Sequence, residues 1–529
     1  MRARVLVVVA LCAALNGAAR GQDAPVALSP PVAQVTIEEV AAAMGANDLR
    51  AIRYWGTGFS FAFGQNYSWE EAWPRMRLER YERLVDYDSE SSQEVLVRTQ
   101  AESPPRGGGN QPLGIIQEQV IGVSGPYAWN QFGTLAAIPT EGASLLPMPS
   151  GTPDPTAVPD QAEQRRLFLW LTPQGFVKSA LAHHPVLSTK AVRRRRVTTI
   201  SFELEGGVHV EGTANEQNLV ERIVTNVPNP VLGDMLVEFV YANYRDFGGI
   251  PFPTNILVQQ GGFHTLEVSV ADAVMNPEDH TVEVPQQARV THVPAPPISA
   301  QPLAEGLWFL SGGSQNSVAV EFRDFAVVIE APEGEEQSLA MIAKVKELMP
   351  RKAIRYLVNT HHHFDQAGGL RTYAAEGAAI LTHASNHQFY DLMFTADRRL
   401  QPDRFSRSNR APRVELVGDY HVIRNGSRVL QVHHVEGSMH DAGLLMVYLP
   451  RERLLVESHV FTPGEPGAPP APNPFTLNLY ENVLRLNLNV TRIAPIYGRM
   501  VPWSELLKAI GKPADDTPAD GLLRAVAQL

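Results

Sequence analysis

The sequence holds one cysteine, Cys12, among 529 residues. It can form no intramolecular disulfide and no cysteine cluster. That excludes a four-cysteine zinc module and a cysteine-ligated iron–sulfur centre. Positive charge is also short: 45 Lys and Arg stand against 56 Asp and Glu, a net charge of −11. Such a balance gives no basic face, so no nucleic-acid partner is expected. Past the N-terminus no stretch offers about 18 uninterrupted apolar residues, so no transmembrane segment is expected either. Hydrophobic residues at 44% and charged residues at 19% place the chain among ordinary globular proteins, not disordered ones. Histidine is present in quantity, with 16 residues. Any transition metal must therefore rest on histidine and carboxylate.

The first 21 residues read as an address. Arg2 and Arg4 form a short basic region, and Val5 to Leu15 is an apolar run too short to span a bilayer comfortably. Small residues around Gly17 to Gly21 follow as cleavage context. This pattern predicts a Sec-type signal peptide over 1–21 and a soluble periplasmic or secreted protein. Cys12 lies inside that segment, so the mature chain is expected to carry no cysteine.

Length allows two to four domains at roughly 100–200 residues each. Thr36-Ile37-Glu38-Glu39 has the form of a capping box, opening a short helix that ends near Gly45. Strand patterns then dominate. Ile200, Phe202 and Leu204 alternate with polar residues, as do Leu266, Val268 and Val270. Period two with one polar face fits an antiparallel sheet. Arg106-Gly107-Gly108-Gly109 reads as a loop, without the Lys-Ser/Thr pair of a nucleotide-binding loop. The proline-rich stretch near 285–302 is the best linker. Beyond it strands and helices alternate. The expected division is a mainly β N-terminal domain over 33–290, a linker over 291–300 and an α/β domain over 301–529.

Ten of the histidines fall between His361 and His459. The densest segment, Asn359-Thr360-His361-His362-His363-Phe364-Asp365, follows the apolar strand Ile354 to Val358. In extended backbone, His361 and His363 share one face and His362 takes the other. Two imidazoles at i and i+2 can then share one metal ion. Gly368-Gly369 permits the tight turn that such a loop needs. His362, His383, His387, His433 and His434 are expected in structural or supporting roles.

The segment Leu357 to Asp365 resembles the His-x-His-x-Asp-His metal loop of the metallo-β-lactamase superfamily. Gly437-Ser438-Met439-His440-Asp441 with Tyr448-Leu449-Pro450, Leu454 to Pro463, and Pro495-Ile496-Tyr497-Gly498-Arg499 resemble its later segments in the same order. The resemblance implies a four-layer αββα sandwich, with the metal site at one edge of two sheets. It implies a first metal set of His361, His363 and His440. The second set departs from the family: Asp365 is present, but Gln366, His459 and Tyr497 stand where histidine, a bridging aspartate and histidine are usual.

Three readings of the site stay open. One Zn²⁺ could sit on His361, His363 and His440 with water, which Asp365 would orient or deprotonate. Asp365 and His459 could build an unusual second zinc site. Or the domain could be a catalytically degenerate binding protein of the cell envelope. Tyr497 could donate a hydrogen bond to a developing oxyanion. The resemblance implies hydrolysis of an ester, lactone, thioester, lactam or phosphoester in a small-molecule substrate. Tyr244 to Pro253 resembles a strand–turn–strand of periplasmic lipoprotein-sorting-type sheets, which implies a curved sheet. The plainer expectation is an N-terminal domain that shields or shapes the metal cleft.

Overall fold

A computed structural model describes residues 34–514, except 110, 139–154, 193–194, 295, 332, 465 and 467–472. The signal segment 1–21 and Cys12 therefore lie outside the described residues. The chain is a mixed α/β protein with more strand than helix.

The capping box forms as read. Thr36 accepts from the Glu39 amide, Glu39 answers at the Thr36 amide, and the helix Ile37–Ala43 follows. Thirteen strands between Ala51 and Met275 then make one antiparallel sheet. Chain order is kept along it except where the first long strand, Ala51–Phe61, pairs with the last, Phe263–Met275. Irregular register at Trp55/Gly56 and again at Gly56/Gly58 bends the first strand. A Cβ on Gly56 or Gly58 would come within about 2 Å of a facing carbonyl oxygen. Only glycine allows the strands to close there. The helices Ala162–Trp170 and Pro173–Ala182 pack on one face of this sheet, with Leu169, Phe176 and Val177 fully buried.

The C-terminal region has the αββα layers. A seven-stranded sheet runs from Ser299–Ala304 to Val414–Val417, and its last four strands are parallel. A six-stranded sheet runs from Tyr420–Asn425 to Val501–Pro502. Val318, Val327, Val358 and Leu381 of the first sheet meet Val432, Val447 and Val456 of the second in one apolar layer. Helix Glu335–Leu348 and its neighbours cover the outer face of the seven-stranded sheet, and Thr476–Arg485 and Trp503–Ala509 cover that of the six-stranded one. The described residues of 291–297 form no helix or strand and are exposed, and the proline-rich stretch is held at its two ends. Val282 and Ala288 pack on Leu84 and Trp129, and the first C-terminal strand already begins at Ser299. No helix among the described residues is long and apolar enough to cross a membrane.

Candidate metal centre

Every segment that carries a site residue leaves the same end of the two C-terminal sheets. The strand Ile354–Val358 is buried at its end, through Leu357 and Val358, and delivers Asn359 and Thr360 into the interior. Glu330 accepts there from the Thr360 amide at 2.6 Å and from Asn359 Nδ2 at 3.1 Å. These bonds fix the start of the histidine run. The chain stays extended through His361 to His363, and the side chains alternate as the spacing predicts.

His361 turns Nδ1 to Thr360 Oγ1 at 2.8 Å and aims Nε2 into a cup. His440, from the turn after strand Arg428–His434, brings its Nε2 to 3.2 Å from that of His361. His459 follows strand Leu454–Glu457 and holds a left-handed φ of 68°. Its Nδ1 lies 3.1 Å from His361 Nε2 and 3.0 Å from His440 Nε2. His363 completes the group: Nε2 donates to the Asn66 carbonyl at 2.9 Å, while Nδ1 is buried with no hydrogen-bond partner. One ligand nitrogen from each of the four histidines falls within 4.8 Å of the others.

This donor set fits a metal ion. Tetrahedral zinc at about 2.0–2.1 Å from nitrogen has ligand–ligand edges of about 3.3 Å, close to the spacing of the three converging nitrogens. Burial, and then the neighbouring histidines, hold His361 and His440 well below the ordinary imidazole range. Burial and His362 likewise bring His363 down to about 3, against the pull of Asp441. The rings are therefore neutral and their lone pairs free to ligate.

His362 takes the opposite face. Its Nδ1 is 2.5 Å from Asp441 Oδ2, and its Nε2 is 3.1 Å from Asn66 Oδ1. Burial works to raise Asp441, but the charge and hydrogen bond of His362 outweigh it and hold the carboxyl low. His362 is thus fully buried on the side away from the cup, in a group with His363 and Asp441.

Asp365 lies beside the cup rather than in it. Its Oδ1 accepts from Gln65 Nε2 at 2.8 Å, and its Oδ2 lies 3.0 Å from His459 Nε2 and also accepts from the Tyr497 hydroxyl. Both oxygens have protein partners, and Asp365 is not among the four residues whose ligand atoms converge within 4.8 Å. Burial would raise its pKa, but attraction and hydrogen bonding from His459 hold it far below the usual carboxylate range. Burial and then Asp365 push the Tyr497 phenol up, so it keeps its proton and acts as a donor. Gln366 donates to Tyr497 at 3.2 Å, and the Tyr497 ring stacks on His459 at 4.4 Å between centroids. The residues of the altered second set, Asp365, Gln366, His459 and Tyr497, are thus brought together in one hydrogen-bonded network.

The N-terminal sheet supplies supports that sequence reading missed. The loop after strand Ala51–Phe61 brings Gln65 to Asp365 and Asn66 to both His362 and His363. The triple-glycine loop lies on the same spot. A Cβ on Gly108 would stand 2.7 Å from His363 Cε1, and Gly107 donates to the Met439 carbonyl at 2.9 Å. The glycine run was the one visible signal. It marks a close approach of backbone to His363, not a phosphate cradle.

Residues 310–510 match the family model of the metallo-beta-lactamase superfamily. This region has that superfamily's αββα fold, and the expectation drawn from the motifs holds. Among solved structures, a metallo-beta-lactamase from Pontibacter korlensis is 17% identical, covering 41% of this chain and 100% of its own at a TM-score of 0.32. The FIM-1 metallo-beta-lactamase from Pseudomonas aeruginosa, in its mono-zinc form, is 16% identical at a TM-score of 0.31, covering 41% of this chain and 95% of its own. No curated protein matches the chain.

Proposed function

We propose that the protein is an exported hydrolase using a single metal ion, zinc by its all-nitrogen donors, held by His361, His363, His440 and His459. The observation that carries this reading is the convergence of three imidazole nitrogens within 3.2 Å of one another beside the partnerless Nδ1 of His363. A metal held there would supply a Lewis acid, and would lower the pKa of a water only by taking it as a further ligand beside the four imidazoles. Asp365 holds His459 by its Nε2, fixing the tautomer that presents Nδ1 to the cup. Tyr497 keeps its proton and can donate to an oxygen that gains charge in a substrate. Gln65 and Gln366 keep Asp365 and Tyr497 in place. The bond class proposed is an ester, lactone, thioester, lactam or phosphoester of a small molecule. The signal segment supports a periplasmic or secreted site of action. We propose domains at 33–290 and 301–529 joined by the 291–300 stretch, with the strand from Ser299 carrying the second domain's sheet into the end of that stretch.

The fourth imidazole favours a second reading. Four protein ligands close a tetrahedral site, which is the habit of structural zinc. That reading makes the domain a non-hydrolytic binding protein. Metal content and turnover separate the two. The mature chain should carry about one metal by elemental analysis and hydrolyse at least one member of an ester, lactone and lactam panel. His361→Ala should abolish both properties. A chain that takes one metal but turns over nothing would support the closed, structural site, and a metal-free chain after zinc loading would overturn both readings.

A further inference from the structure

The N-terminal sheet encloses a cavity of about 540 Å³ that no role in the metal centre explains. Its walls are mixed: Phe61, Met76, Leu96, Ile121, Phe239 and Val258 give it an apolar side, and polar side chains including Glu94, Gln119 and Gln260 share the lining. Helix Ala162–Trp170 closes one side with Phe168, and the half-exposed Phe132 marks its rim. Three guanidinium groups reach this space, and two of them are spoken for. Arg83 pairs with Glu94 at 3.4 Å and donates to Ser92. Arg165 spends its donors on the carbonyls of Gly122 and Trp129 and on Asn130 and Gln161.

Arg98 differs. It is only 7% exposed, and its one hydrogen bond among the described residues runs from Nη2 to Gln117 Oε1. Its Nε is buried without a partner, and no carboxylate pairs with it among the described residues. Burial alone pushes it down to about 10, so it is still charged at neutral pH. A buried cation without a counter-ion is costly, and natural interiors pair such groups. Guanidinium binds carboxylate in a two-point fork.

We propose that this cavity binds an amphipathic carboxylate, with an apolar body along the sheet and its carboxylate on Arg98. The cavity also adjoins the metal centre. Gln65 lines it and donates to Asp365, and Gly109 lines it one residue from the glycine that packs on His363. The proposal does not rest on hydrolysis, because its test reads binding.

Dodecanoate and dodecanol serve as probes, with binding to the mature full chain followed by calorimetry. The expected result is saturable binding of one dodecanoate per chain, at least about tenfold tighter than dodecanol, because only the acid can pair with the guanidinium. Arg98→Met should erase that preference while leaving dodecanol unchanged, and Val258→Trp should weaken both by filling the cavity. Equal affinity for acid and alcohol in the wild type would overturn the proposal without any variant. So would the absence of saturable dodecanoate binding, or an Arg98→Met chain that folds and still prefers the acid.

Discussion

Gly108 shows how tightly a single position can be specified. Its backbone is not left-handed, so the constraint is steric. An added methyl would meet Gln65 Oε1 and, at 2.7–2.8 Å, the His363 ring; the amide end can swing aside, but the buried ring must move as a whole. Gly108→Ala should therefore rotate His363 away from the cup and weaken metal binding by about 10–100-fold, as losses in the supporting shell do. Competition with a coloured chelator measures this; an unchanged affinity would refute it. Glu330 offers a test by pH. Burial raises it to about 7, against the hydrogen bonds from Thr360 and Asn359. A carboxyl whose pKa is raised on folding favours the fold at low pH, and that contribution is lost as pH climbs from about 4.5 through 7. The shift corresponds to about 3 kcal/mol. Urea midpoints of the metal-free chain should thus show wild type losing stability relative to Glu330→Gln between pH 5 and pH 8. Parallel profiles would remove Glu330 as the cause.

At the scale of elements, the clamp between the two regions is aromatic. Phe63 and Trp73 stand beside Phe364 at ring distances of 5.2 and 6.2 Å, and Trp69 meets Phe389 at 5.4 Å. Trp73 is 2% exposed, so Trp73→Ala opens a cavity worth about 3–5 kcal/mol. The loop it anchors carries Gln65 and Asn66, so metal affinity should fall together with the urea midpoint. Loss of stability with metal affinity intact would mean that the loop covers the site without aligning it. This clamp was illegible in the sequence, because Gln65 and Asn66 meet their partners across about 300 residues. The capping box at Thr36, the period-two strands and the His361–His363 alternation were legible because each depends on neighbours a few residues apart. The start of the C-terminal sheet was not. Pro302 lies within strand Ser299–Ala304, at the sheet edge where proline is tolerated, so one proline that read as linker belongs to a strand. The role of Asp365 was also hidden: sequence fixed its place beside the ligands but not which donors would take its oxygens.

Over the whole molecule the two regions share one core. A single apolar cluster runs from Val40, Tyr81 and Phe252 of the N-terminal sheet to Leu357, Phe364, Tyr373 and Phe389 of the C-terminal layers. Polar contacts reinforce the seam. Arg398 donates to the Asn229 and Val231 carbonyls at 2.8 Å, and Asp234 accepts from the Arg399 and Leu400 amides. Unfolding either region would expose aromatic surface of the other, so neither has an independent stability to lose first. Calorimetry of the mature, metal-free chain should give one transition whose van't Hoff and calorimetric enthalpies agree. Arg398→Ala strips the seam of a buried donor pair, and should lower that one transition without splitting it. Two resolved transitions in the wild type would show instead that the N-terminal sheet folds alone. The contacts of Gln65 and Asn66 to the metal loop would then form only after two finished domains had docked.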